Sequence, residues 1–371
     1  NFGQKPFKFP PPDGFQPLTS STVRPDTVIS RPDQYVKATT YTGNGASSPG
    51  GSGGTQTINV GFKPDLIWLK DRTQAHNNNL IDSVNGAPNL LMSDLSNSLT
   101  TNSTDGLTAI TDNGFTLGDN GEGTQSLEMN KNGNDYVAWT WKAGGGKVSG
   151  GGFFKDDVEY ASAAAAGLTA GTITPDAASV GTRQGFSIIK YSLSGSSAQT
   201  IPHGLDGSLG LLITKATTTT NGWAVWHSSI NDNAGLVISG TTAASTVTWW
   251  NQSNMTNNVF AHIAGTTSQS GAPVIAYCWH DVPGLQKFGH YTGNSGSNGP
   301  VIDLGFRPEM ILLKKITNTD TNSGWHWYDN KRNTYNPANN FLLASAGYYE
   351  NRAQNNTADI SSYTVDFLAN G

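Results

Sequence analysis

The feature that most restricts what this chain can become is an internal repeat. Tyr41-Thr42-Gly43-Asn44-Gly45, a Gly/Ser-rich turn, Ile58 and the corner Gly61-Phe62-Lys63-Pro64-Asp65 lead into Leu66-Ile67-Trp68-Leu69-Lys70. The same order returns as Tyr291-Thr292-Gly293-Asn294, a second Gly/Ser turn, Ile302 and Gly305-Phe306-Arg307-Pro308-Glu309, leading into Met310-Ile311-Leu312-Leu313-Lys314. A more diverged copy runs from Tyr191 through Ile201-Pro202-His203-Gly204-Leu205 to Leu211-Leu212-Ile213-Thr214-Lys215. The repeat tyrosines, at 41, 191 and 291, are 150 and 100 residues apart, so insertions separate the copies. Three separate globular modules fit this spacing better than a continuous solenoid.

Each copy reads as β structure. The apolar runs Leu66 to Leu69, Leu211 to Ile213 and Met310 to Leu313 are short, bounded by Gly or Pro, and match strands buried on both faces. A Gly followed closely by Pro suits a corner entering a strand, since one residue is flexible and the other cannot donate to a ladder. Asp112-Asn113-Gly114 and Asp119-Asn120-Gly121 write turns on either side of Phe115-Thr116-Leu117. Two copies close alike, with Tyr136-Val137-Ala138-Trp139-Thr140-Trp141 matching Val274-Ile275-Ala276-Tyr277-Cys278-Trp279. Alternation puts Val137, Trp139 and Trp141 on one face, and Ile275, Tyr277 and Trp279 on its counterpart. The third copy has no such ending, so a final strand is expected to be missing. The stretch Tyr160 to Gly167 alone permits helix, and it is short enough to be a connector or one or two turns.

The expected architecture is all-β: tandem β-sandwich (jelly-roll) modules with little helix. Residues 37–150 form module 1, 151–286 form module 2 with an insertion, and 287–371 form module 3, incomplete at its C-terminal end. Residues 1–36 precede them as the end of an upstream domain plus a linker, and the chain is expected to be a piece of a longer protein.

Composition bounds the function. Only 13% of residues are charged, the net charge is −5, and Gly, Ser, Thr and Asn fill the deficit. Such a surface carries no basic field to hold phosphates, which argues against a nucleic-acid partner. Cys278 is the only cysteine, so no disulfide framework or thiolate metal site forms within the chain. No apolar stretch approaches the roughly 18 residues needed to span a bilayer, and Asn1 to Pro6 lacks the regions of a signal peptide. The short catalytic signatures are absent and no carboxylate pair stands out, so the expectation is a non-enzyme without cofactor. Seven histidines, among them His203, His227, His280 and His290, lie in different contexts without a short spacing, and Asp119-Asn120-Gly121-Glu122 lacks the alternating oxygen ligands of a calcium loop. No metal site is expected.

Several motifs carry a family resemblance. Asn1-Phe2-Gly3-Gln4-Lys5-Pro6-Phe7 resembles the closing strand of SPRY-type β-sandwich domains. Tyr41 to Gly45, Gly61 to Asp65, Ala138 to Ala143, Val282 to Gly289 and Asp329 to Pro337 resemble, in order, repeated modules of structural and tail-fibre-like proteins of marine bacteriophages. That resemblance implies a virion component with concanavalin-A-like modules, used in attachment to a host surface, and other virion proteins or copies of the chain (a trimer among the options) as partners. It also implies Asp-Ser-Ile/Val-Arg-Gly where this chain has Asp82-Ser83-Val84-Asn85-Gly86, which puts an Asp–Arg pairing in module 1 in doubt.

Aromatics are the better lead to a site, because Trp and Tyr faces stack on sugar rings while their polar tips hydrogen-bond. Trp68, Trp139, Trp141 and Trp279 recur at matched positions and read as core, as does at least one Trp in each of Trp223-Ala224-Val225-Trp226 and Trp325-His326-Trp327-Tyr328. Trp249-Trp250 and Tyr348-Tyr349 have no clear counterpart in the other modules. Neighbours on a strand point to opposite faces and a two-sheet module buries one, so one of each pair is expected to be exposed, to a glycan or to another subunit. Trp249, Trp250, Tyr348 and Tyr349 are therefore the candidate ligand-binding residues.

Overall fold

The computed structural model describes residues 29–47, 51–100, 106–119, 128–230, 233–265, 270–294, 299–317, 319, 323–350 and 365–367. The SPRY-like opening and Asn120 to Glu122 of the possible calcium turn lie outside these residues. Strand takes 36% of the structure and helix 3%, in several antiparallel sheets and no barrel, so the fold is all-β and of sandwich type.

Module 1 contains β1 (Val36–Thr42), β2 (Gln56–Asn59), β3 (Leu66–Asp71), β4 (Asn79–Asp82), β5 (Leu91–Met92), β6 (Leu107–Thr111), β7 (Gly114–Leu117) and β8 (Asp135–Trp141). They form a five-stranded sheet in the order β1-β8-β3-β4-β5 and a three-stranded sheet in the order β2-β7-β6. Alternation sends Ile67 and Leu69 of β3 and Tyr136 and Ala138 of β8 inward, onto Ile58, Ile110, Phe115 and Leu117 of the small sheet. The corner glycine before β3, Gly61, has φ +98°, and its equivalents Gly204 and Gly305 have +72° and +77°, a backbone region that favours glycine.

Module 2 contains β9 (Phe153–Lys155), β10 (Val158–Tyr160), β11 (Ala177–Gly181), β12 (Phe186–Ser192), β13 (Gln199–Pro202), β14 (Leu211–Ala216), β15 (Ala224–His227), β16 (Ala234–Val237), β17 (Ser245–Thr246), β18 (Val259–His262) and β19 (Pro273–Trp279). Within its nine-stranded sheet, the run β12-β19-β14-β15-β16 repeats the strand order of module 1, and β13 pairs with β18 as β2 does with β7. The insertion supplies β9 to β11, which extend the sheet beyond β12. The helix-permissive stretch is a set of turns, with the Ala166 N–H donated to Ser162 O and with Ala163 and Ala166 buried.

Module 3 keeps β20 (Met310–Lys314), β21 (Trp325–Asp329) and β22 (Leu342–Leu343) as one three-stranded sheet. The hairpins of the three modules share one register: Leu66 faces Asp82, Leu211 faces His227 and Met310 faces Asp329.

The modules do not stand apart, which corrects the expectation of three separate units. Each large sheet is apolar on both faces, and only one of them can be covered by the module's own small sheet. The other faces, bearing Leu66, Trp68, Trp139 and Trp141 in module 1, Ile213, Ile275, Tyr277 and Trp279 in module 2, and Trp325 and Trp327 in module 3, merge into one core. Trp327 is packed among Trp68, Trp139 and Trp141, with ring centroids 5.4, 4.8 and 6.1 Å away.

Hydrogen bonds close these contacts into a ring. The Trp223 indole N–H donates to Met92 O (2.9 Å), that of Trp325 to Val237 O (3.0 Å), and the Asn78 amide to Leu343 O (3.0 Å). Trp223, Trp325 and Asn78 occupy one repeat position, and Met92, Val237 and Leu343 another, so module 2 bonds module 1, module 3 bonds module 2, and module 1 bonds module 3. Seven residues further on, Leu99 N–H reaches Thr217 O (2.7 Å), Ala244 N–H reaches Ile316 O (3.0 Å) and Glu350 N–H reaches Arg72 O (3.1 Å). A threefold arrangement thus exists inside one chain.

Candidate functional site

The most developed junction joins modules 1 and 3, and it is built from the loops that follow β3, β5 and β22. Lys70, next to last in β3, has its side chain wholly buried, and its ammonium donates to His76 O (2.5 Å) and Gly347 O (3.2 Å), one carbonyl from each module. The matching lysines act alike: Lys215 donates to Ala216 O and Thr219 O, and Lys314 to Thr241 O and Ser323 O. The lysine at or next to the end of each repeat strand is therefore a pin for the loop after it. Burial pulls Lys70 down to about 8 against the charges of Asp94, Asp71 and Glu128, and burial alone pulls Lys215 to about 8.

Around Lys70 the acids are held inside the junction. Burial pushes the Asp71 carboxyl up, but hydrogen bonds from His76, Gln74, Asn134 and Thr73 outweigh this and keep it below the usual range. Burial raises Asp94 and Glu128; Asp94 accepts the Asn78 N–H (2.9 Å) and Glu128 the Asn77 amide (3.0 Å). Deeper in, Asp329 accepts from the Arg332 guanidinium (2.6 Å) and the Trp139 indole (3.1 Å), and Arg332 also reaches Glu350 (3.0 Å), which Arg72 holds from the other module (3.1 Å). The Asp–Arg pairing that the family pattern implies is thus present in module 3. In module 1 Asn85 replaces the arginine, and Asp82 accepts the Asn85 amide (2.9 Å) and the Tyr277 hydroxyl (2.8 Å) instead.

Above this network lies a cleft of about 470 Å³ lined by Ala75, Asn77, Asp94, Leu95, Ala346, Gly347 and Tyr348. It combines an amide and a carboxylate with an aromatic ring and small apolar side chains, the mixture that holds a neutral polyhydroxylated ligand. A second cleft, of about 340 Å³, lies where the inserted hairpin meets the end of module 1 and is lined by Tyr35, Lys142, Asp156, Asp157, Thr182 and Arg183 among others. Asp156 and Asp157 form its two-residue turn at φ 52° and 66°. The Thr182 N–H (2.8 Å) and hydroxyl (2.8 Å) fix Asp156, and Lys142 (2.6 Å) fixes Asp157.

The four aromatic candidates part company. Trp250 is 2% exposed and packed in the module 2 core beside His262, 5.0 Å between ring centroids, so it presents no face to a ligand. Trp249 is half-buried against the same core. Tyr348 is half-buried, packs against the module 3 cluster and lines the larger cleft; Tyr349 next to it is 38% exposed. Trp249 and Tyr348 belong to different clusters, so the two pairs do not build one site. Neither pair lies on a strand, so strand alternation does not set which member faces water.

Asn77 and Asp94 were not singled out by sequence, since each is one polar residue among many in a loop. The common offset of seven residues beyond β5, β16 and β22 is the signal that marks the junction loops. Among the described residues no group of three or more His, Cys, Asp or Glu side chains is placed to hold a metal ion, and no helix is long and apolar enough to cross a membrane.

With this geometry in hand, comparison with known proteins adds one finding. A family model described as a domain of unknown function, DUF7483, matches residues 31–152 and 159–371. The chain belongs to the DUF7483 family. The gap between the two matches falls within the β9–β10 hairpin, so one match covers module 1 of the DUF7483 chain and the other covers modules 2 and 3. No curated protein and no solved structure matches it.

Proposed function

We propose that this chain is a structural component of a bacteriophage particle, part of a surface fibre, and that it offers the cleft between modules 1 and 3 to a glycan of the host surface. The observation that carries the reading is the cleft itself, where Asn77, Asp94 and Tyr348 meet over a buried, hydrogen-bonded network. A rigid floor keeps such polar groups in place for a ligand without further ordering cost. The low charge of the chain and the resemblance of its motifs to phage fibre modules support the same reading. Binding of the purified chain on an array of bacterial surface glycans tests it. Tyr348→Ala and Asp94→Asn should each weaken a detected signal at least about tenfold, the loss of one good stacking or hydrogen-bonding contact. No glycan signal, or a signal indifferent to both substitutions, would remove the adhesive role.

A spacer role without a ligand is the second reading. The exposed Tyr291, Val301 and Ile302 of module 3 favour it, because apolar side chains left in water suit contact with another polypeptide.

A further inference from the structure

Two repeat positions change chemistry together where module 2 meets module 1. Asp82 and Asp329 hold one register position, and three residues beyond them stand Asn85 and Arg332. In module 3 the Arg332 guanidinium lies 2.6 Å from Asp329, an ion pair within the module. In module 1 the neutral Asn85 takes that place, and the cation beside it comes from module 2. Lys190 of β12 pairs with Ile275, as Thr40 of β1 pairs with Val137 at the matching place in the other closing strand. Lys190 therefore shares a face with Tyr277, whose hydroxyl reaches Asp82 (2.8 Å). The Lys190 ammonium donates to Asn85 Oδ1 (3.3 Å), and Asn85 Nδ2 donates to Asp82 Oδ2 (2.9 Å).

An amine, a carboxamide and a carboxyl group in this order are the parts of an amide-exchange reaction. The amine stands against the Asn85 carbonyl at the kind of contact from which a nucleophile attacks. Charge fixes which way the amide points, its oxygen toward the lysine and its NH2 toward the carboxyl group. The acid thus sits on the nitrogen that has to leave. Burial drives the Asp82 carboxyl up, against the hydrogen bonds of Asn85, Tyr277 and Val84, so it takes a proton more readily than an exposed carboxyl. Asn85, Asp82 and Tyr277 are all buried, which keeps competing water away from the amide carbon.

We infer that Lys190 and Asn85 are the partners of an isopeptide cross-link between modules 2 and 1, with Asp82 as its proton carrier. Lys190, having given one proton to solvent, adds through Nζ to Asn85 Cγ. Protonated Asp82 passes its proton to Nδ2, the Cγ–Nδ2 bond breaks, and ammonia leaves. The second proton shed by Nζ restores the acid, and the carbonyl oxygen stays in the new amide. No oxidant, reductant or further reactant enters. The meeting of these residues belongs to this junction alone among the three repeat positions, since Ile230 holds the place of Asn85 in module 2 and Arg332 holds it in module 3. The link ties β12 to the loop after β4, across the shared core.

Mass spectrometry of the full folded chain after incubation at neutral pH tests this. The intact chain should be lighter by one ammonia, about 17 Da, and a protease digest should yield the peptides holding Asn85 and Lys190 joined as one branched species. Lys190→Arg and Asp82→Asn, each checked for folding by circular dichroism, should keep the full mass. The digest of the parent chain needs no variant, so a variant that fails to fold leaves the test intact. A parent of full mass, with Asn85 and Lys190 recovered in separate unmodified peptides, would overturn the cross-link and leave Lys190 a hydrogen-bond donor only. Loss of ammonia that persists in Lys190→Arg, without a branched peptide in the parent, would also overturn it, because an asparagine side chain can lose ammonia to its own backbone.

Discussion

Replacing Trp327 by alanine is the sharpest probe of the shared core. The side chain belongs to module 3 by sequence, yet its ring lies among Trp68, Trp139 and Trp141 of module 1, and it is only 4% exposed. A buried Trp removes about 150–250 Å² from water, which at about 25 cal/mol per Å² is about 4–6 kcal/mol. Measured Trp→Ala costs in cores are about 3–5 kcal/mol, and stacked partners such as Trp139 add to the loss. The expected destabilisation is therefore about 5 kcal/mol, a large part of the total for a domain. Urea unfolding followed by far-ultraviolet circular dichroism measures it, with Trp327→Phe recovering much of the loss and Tyr335→Ala, at an 85% exposed position of the same module, staying within about 0.5 kcal/mol of the parent. The decisive readout is proteolysis: Trp327→Ala should expose cleavage sites in module 1 as well as module 3. A cost below about 2 kcal/mol, or damage confined to module 3, would refute a core common to the modules.

Other consequences are open to measurement. Asp329→Ala leaves the Arg332 guanidinium, which has no exposed surface, without its nearest carboxylate and should cost about 3–5 kcal/mol, while Asp329→Leu combined with Arg332→Met should cost clearly less than the two single changes summed; additive effects would deny the pair. Asn78→Ala strips the donors from Leu343 O and Ala346 O and should cost about 2 kcal/mol in urea unfolding, with no loss pointing to a ring that is not closed there. Burial pulls His203 and His326 to about 4 and His262 to about 3, so the unfolded chain, near 6.5, holds more protons below that value and stability must fall as pH falls. Between pH 7.5 and 5.5 the three together should remove roughly 4 kcal/mol, while the raised carboxyls of Asp65, Asp82, Asp94 and Glu128 act in the opposite sense. Replacing the three histidines by glutamine should remove this part of the pH dependence, and an unchanged dependence between pH 7.5 and 5.5 would contradict the burial of these rings.

How much of this was legible beforehand depends on the range of the interactions involved. The repeat, the short strands, the Gly corners and the inward alternation of Val137, Trp139 and Trp141 are set by neighbours along the chain, and sequence periodicity displays them directly. The burial of Trp250 beside His262 joins separate segments of module 2, and the cleft of Asn77, Asp94 and Tyr348 and the exchange of donors among Tyr277, Trp139, Asp82 and Asp329 join residues far apart in sequence, across modules.

By itself, then, the sequence determined three β modules of one design and a polar surface of low charge. Only the tertiary structure decided that the modules share a core and close into a ring. The reason is physical: an apolar strand states that both of its faces must leave water, but which surface covers the second face is settled by shape and register between distant segments.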